Sequence, residues 1–99
     1  MRTPTWPGRK RYPLSGKVVL ITGAGRGLGA ATASTLAQRG AHVVVADIDQ
    51  DSAQRVVSTL PNARALALSC DVTQLDSVTD AVSRTTDEFG GIDVVIANA

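Results

Sequence analysis

The 99-residue chain contains one cysteine, Cys70, and one histidine, His42, so no internal disulfide can form and a transition-metal cage has too few soft ligands. Aromatic residues are as scarce, with one tryptophan, one tyrosine and one phenylalanine. Aliphatic packing must therefore hold the fold. No apolar run approaches the roughly 20 residues that cross a bilayer; the longest clearly apolar one is Val18 to Ile21. No apolar stretch of signal-peptide type follows the early basic residues, and the expectation is a cytoplasmic protein with no membrane partner.

Acidic residues are missing from the first 17 positions, where Arg2, Arg9, Lys10, Arg11 and Lys17 give a local charge of +5; residues 18–99 carry −4. A nucleic-acid reader presents a basic face on its folded part, and this body is acidic, so no nucleic-acid partner is expected. Residues 1–13 hold Pro4, Pro7 and Pro13 and read as a flexible basic arm. The 43% apolar and 19% charged composition of the whole suits a single globular unit.

From Lys17 onward short β-branched runs alternate with segments of helical period. Lys17–Thr22 reads as a buried strand, followed by a glycine turn and a helix from about Gly27 to Arg39 that Gly40 ends. His42–Asp47 is a second strand. The next helix, about Asp51 to Leu60, carries Ala53, Val56, Val57 and Leu60 on one stripe and stops at Pro61 and Asn62. A third strand covers about Arg64 to Cys70. Thr73 then reads as the N-cap of a helix whose apolar face is Leu75, Val78, Val82 and Phe89, ended by Gly90 and Gly91. The fourth strand runs from about Ile92 to Asn98. Strands apolar on both sides and joined by helices must be parallel and covered on both faces. Right-handed crossovers with reversal at the first strand predict an α/β, Rossmann-type doubly wound sheet in the order 3-2-1-4, over residues 14–99.

The chemistry lies in Thr22-Gly23-Ala24-Gly25-Arg26-Gly27-Leu28-Gly29. Glycines between a buried strand and a helix remove side chains where the chain turns and where a ligand must approach the backbone. The helix start supplies unpaired N–H groups and partial positive charge, which suits a pyrophosphate. Only the variant Gly25-x-Gly27-x-x-Ala30 matches the dinucleotide fingerprint, so the string alone is weak. Asp47 adds to it by ending the second strand 20 residues after Gly27, where an acid meets ribose hydroxyls. A carboxylate there repels a 2′-phosphate and points to NAD over NADP, whereas Arg26 in the turn pulls toward NADP.

Residues 14–99 resemble the opening of the short-chain dehydrogenase/reductase family. The family's Thr-Gly-x-x-x-Gly-x-Gly is matched by Thr22, Gly23, Gly27 and Gly29, its Asp-Val after strand three by Asp71 and Val72, and its Asn-Asn-Ala-Gly in part by Asn98 and Ala99, with Ala97 replacing the first asparagine. The resemblance implies a nicotinamide cofactor, with Asp71 on the adenine amino group, Val72 beside the ring and Asn98 shaping the loop near the ribose. The full set of expected cofactor contacts is Gly23, Gly25, Arg26, Gly27, Leu28, Gly29, Asp47, Ile48, Asp71, Val72 and Asn98. It also implies hydride transfer with an alcohol or ketone, carried out in the complete enzyme by serine, tyrosine and lysine residues that lie beyond the fourth strand, and a homotetramer. Asp93 resembles a position that ties strands together. No catalytic residue and no metal ligand is assigned here.

The chain thus reads as the cofactor-binding portion of a longer, incomplete dehydrogenase, inactive alone and prone to aggregate through its apolar fourth strand. Two other readings stand beside it, a non-catalytic nucleotide-binding module and an S-adenosylmethionine-dependent methyltransferase domain. The latter shares a glycine-rich first turn and acids after strands two and three, but lacks the acid usually leading into that turn.

Overall fold

The computed structural model describes residues 13–60 and 64–99. The basic arm up to residue 12 and the Pro61–Asn62 helix stop lie outside the described residues. Elements alternate as β1 (Val18–Thr22), α1 (Gly27–Gln38), β2 (His42–Asp47), α2 (Gln50–Thr59), β3 (Ala65–Ser69), α3 (Leu75–Phe89) and β4 (Val94–Ala97). All pairings are parallel and the sheet order is β3-β2-β1-β4, as predicted.

The two central strands are buried because their side chains are aliphatic on both faces. Val19, Ile21, Val43 and Val45 face α1 and α2 through Ala33, Ala37 and Ala53; Leu20, Val44, Ala46 and Leu68 face the other way, onto Ala81 of α3. Small residues on the helices let them sit close to the sheet. Gly40, at φ +88°, turns the chain out of α1 in a left-handed conformation that residues with a Cβ rarely adopt. Val56 and Val57 of α2, with Leu60 at its C-cap, pack where the periodicity places them.

The outer strands depart from burial on both faces. Val95 of β4 is 58% exposed and lies on the sheet's edge, with no strand beyond it among the described residues. The opposite edge is partly closed, since Gln50 donates from Nε2 to the outward carbonyl of Ala67 at 3.3 Å. Near the start of β4, Asp93 fastens it to β1: its Oδ2 accepts the Val18 N–H at 2.8 Å, and its own N–H donates to Val18 O at 2.9 Å. This is the tying role expected of it.

Helix α3 corrects two sequence expectations. Its inward face is Val78, Ala81, Thr85 and Phe89, while Leu75 and Val82 point outward. Thr85 can be buried because its hydroxyl donates to Ala81 O at 2.7 Å, so a polar residue occupies a position that an apolar count assigns elsewhere. Nor is Thr73 the N-cap. Gln74 holds that position with no side-chain cap, because Asp71 Oδ1 captures both the Thr73 N–H, at 3.0 Å, and its hydroxyl, at 2.6 Å. Below the sheet, the Phe89 ring stacks on His42 at 5.5 Å and lies 5.2 Å from the Arg64 guanidinium carbon. That cluster closes the end opposite the glycine turn. No helix among the described residues is long and apolar enough to cross a membrane.

Candidate functional site

Parallel strands bring their carboxyl ends to one rim, and every motif singled out in the sequence lies there. The turn after β1, Asp47 and Ile48 after β2, Asp71 and Val72 after β3, and Asn98 after β4 border a common region. Within it is a cleft of about 300 Å³ lined by Gly23, Asp47, Ile48, Cys70, Asp71, Val72, Thr73 and Ala99. A larger hollow, about 500 Å³, lies beside β3 and α3 between Gln50, Leu66, Leu68, Arg84 and Glu88. No residue of the glycine turn lines it, so the smaller cleft is the candidate site.

The glycine turn is built to exclude side chains. A Cβ at Gly25 would lie 2.8 Å from Asp47 Oδ2 and 2.9 Å from Ser52 Cβ; one at Gly29 would lie 2.5 Å from Gly23 O and 2.8 Å from Ala24 Cα. Gly27 differs: its φ is +59° and nothing comes within 4 Å of the added atom, so the requirement there is conformational and the space above it is open. Helix α1 begins at this point with no side-chain cap and no acid in its first turn. Its leading N–H groups therefore have no side-chain acceptor. By contrast α2 is capped by Asp49, whose side chain accepts from the Asp51 and Ser52 amides. The free end of α1, the open space over Gly27 and the side-chain-free turn fit a diphosphate.

Asp47 is buried at the rim, and its two oxygens are both oriented by backbone. Oδ2 accepts the Gly25 N–H and Oδ1 the Asp49 N–H, each at 2.9 Å. This fixes the carboxylate against the turn and leaves further lone pairs for hydroxyl donors, since a carboxylate accepts about four hydrogen bonds. Ile48 is 70% exposed and Val72 44%, two apolar side chains beside a cleft that is largely apolar. They provide faces against which a planar ring can lie. Leu28 is exposed too, at the start of α1.

Asn98 does not point at the cleft. Its Nδ2 donates to Gly23 O at 3.1 Å and its N–H to Thr22 Oγ1 at 3.2 Å, so it braces the glycine turn from β4. Cys70 is buried among apolar groups, as its strand-end position suggests. Sequence reasoning missed Asp49 and Ser52. Arg26, whose side chain is largely exposed, pairs with Asp49 at 3.4 Å, and Ser52 donates to Asp49 Oδ2 at 2.8 Å. The available signal was Asp49-x-x-Ser52 opening a helix, an N-cap pattern.

Two carboxylates at the rim, Asp49 and Asp71, are held below the usual range near 3.8, by the Ser52 hydroxyl first for Asp49 and by the Thr73 hydroxyl first for Asp71. An unfolded chain takes up protons there before the folded one does. Their contribution to stability is thus complete above about pH 4 to 5 and disappears as the pH falls through the depressed folded values. Urea midpoints measured from pH 6 down to 3 should fall over the lowest unit, and less steeply in Asp49→Asn.

A model of the family described as short chain dehydrogenase matches residues 17–99. The chain belongs to this family. Secoisolariciresinol dehydrogenase of Forsythia intermedia is 38% identical over 86 residues, which are 87% of this chain and 31% of that protein. Among solved structures, hydroxysteroid dehydrogenase from Escherichia coli superposes with a TM-score of 0.85 at 38% identity, covering 87% of this chain and 37% of that one. The 3-ketoacyl-(acyl-carrier-protein) reductase from Brucella melitensis, complexed with NADH, gives 0.79 at 40% identity, covering 83% and 33%. The chain spans about a third of the length of these relatives. The rim described above lies within the part of the short-chain dehydrogenase fold that this chain covers.

Proposed function

We propose that this chain is the NAD-binding portion of an oxidoreductase, with the diphosphate on the N–H groups of Gly27, Leu28 and Gly29, the adenosine ribose on Asp47, and adenine between Ile48 and Val72 near Asp71. The observation that carries the proposal is the Asp47 carboxylate, buried at the rim and aimed by the Gly25 and Asp49 amides. An anion fixed there accepts hydrogen bonds from ribose hydroxyls and repels a phosphate on the 2′-oxygen. Gly23 and Gly25 keep the turn free of side chains, and Asn98 holds it in place. Arg26, the cation of the same turn, is paired with Asp49.

When bound, the dinucleotide supplies a hydride acceptor or donor. This chain's residues bind and orient it, and none is assigned the proton transfer. For the complete enzyme the reading extends to an alcohol or ketone substrate, a cytoplasmic setting and a homotetramer. The 99-residue chain by itself is expected to bind without turnover and to self-associate along the exposed β4 edge. Calorimetric titration of the chain with NAD and with NADP tests the cofactor: NAD should bind about tenfold or more tightly. Equal or stronger NADP binding would remove the role given to Asp47.

A further inference from the structure

Arg26 is the one cation of the glycine turn, and its guanidinium already has partners. Its Nη2 lies 3.4 Å from Asp49 Oδ2 and 3.4 Å from Ser52 Oγ, while Arg55 Nη2 donates to the same hydroxyl at 3.1 Å. Asp49 is the centre of this group: it caps α2, accepts from the Ser52 hydroxyl, and its own N–H donates to Asp47 Oδ1. Two guanidinium groups and a hydroxyl therefore converge one hydrogen bond away from the carboxylate that faces the ribose. Guanidinium and hydroxyl donors are the chemistry that recognises a phosphate monoester. What prevents them from serving as such a site is one side chain, that of Asp49.

We infer that Asp49 is a specificity-determining residue, holding Arg26 away from a ribose 2′-phosphate, so that NADP is rejected by the charge of Asp47 and by the hold of Asp49 on Arg26 together. The inference rests on the NAD reading above and deepens it. Asp47 alone acts on the ribose; Asp49 acts through Arg26 and is a positioning residue. Its ionised state is favoured by the hydrogen bonds it receives from Ser52 and Asp51 and by Arg26, so the arrangement persists at neutral pH. Because the Arg26–Asp49 pair is exposed, its own contribution is small, and the expected effect is modest.

Asp49→Asn separates the roles, since asparagine caps a helix about as well as aspartate and keeps the backbone N–H that holds Asp47. Unfolding temperature at neutral pH should fall only slightly, by the charge-assisted part of the cap that ionised Asp49 supplies. In calorimetric titrations of the full chain, Asp49→Asn should strengthen NADP binding about three- to tenfold and leave NAD within about twofold. Adding Arg26→Ala should abolish that gain, which a purely structural role of Asp49 would not do. If the unsubstituted chain prefers NAD but Asp49→Asn leaves NADP affinity unchanged, or the gain survives in the Arg26→Ala background, the role of Asp49 is overturned while the NAD reading stands. If the unsubstituted chain binds NADP as tightly as NAD, both are overturned, since there is then no discrimination for Asp49 to make.

Discussion

Gly29→Ala is expected to lower stability by about 2 to 3 kcal/mol and to abolish measurable dinucleotide binding. The added methyl would lie 2.5 Å from Gly23 O, 2.7 Å from Asn98 Nδ2 and 2.8 Å from Ala24 Cα. Two of these are backbone atoms of the turn that leads into α1, and they cannot withdraw without opening the turn. The Asn98 amide has no easier escape, because it is bonded to Gly23 O, one of the atoms that must move. Relaxation thus drives α1 off the sheet or splays the turn, and either change misplaces the amides proposed to hold the diphosphate. Gly27→Ala is the contrasting variant. Nothing crowds the new methyl there, and the cost is the roughly 1 kcal/mol of a left-handed conformation. Denaturant unfolding of the two variants checks the order. A Gly29→Ala chain as stable as Gly27→Ala would mean that the turn is looser than this geometry implies.

The second large effect is on affinity. Asp47→Ala removes the acceptor of the Gly25 and Asp49 amides together with the proposed ribose partner. Losing one or two ribose hydrogen bonds at an ionised acceptor corresponds to about 1 to 3 kcal/mol, or roughly ten- to a hundredfold weaker NAD binding. NADP should lose less, since the same change also removes a repulsion. The NAD to NADP preference, measured by titration, should therefore shrink or invert. Asp47→Asn discriminates between the structural and ligand roles: an amide oxygen still accepts one backbone N–H, but its charge is gone. If Asp47→Asn retains full NAD preference, charge at this position does not select the cofactor.

Much of this was readable from the residues because the deciding signals are local. The aliphatic runs of β1 and β2 can only be central parallel strands, and Asp47 falls at the end of β2 simply by counting along a strand. Gly23 to Gly29 announced a turn in which backbone meets ligand. The face of α3 was not readable, because Thr85 turns inward by bonding its own helix, and no hydrophobicity pattern records that bond. Nor was the capture of Thr73 by Asp71, since either residue makes a plausible cap and only the path of the chain out of β3 decides. The Arg26–Asp49 pair spans 23 residues and depends on how the β1 turn approaches the start of α2. Arg26 stood out in the turn, but Asp49 did not, and their meeting was a product of the fold. Asn98 lies between these cases, with a motif that marked it and a structure that turns it onto Gly23.

The central claim is that a dinucleotide seats on the rim formed by the glycine turn, Asp47 and the β3 exit. Amide chemical-shift mapping of the isotope-labelled chain during NAD titration tests it most directly. Saturable shifts should concentrate on Gly25, Gly27, Leu28 and Gly29, with Ile48, Asp71 and Val72 following at the same midpoint, while residues around the Arg84 and Glu88 hollow stay still. Shifts centred on that hollow, or none at the α1 amides at millimolar NAD, would contradict the account.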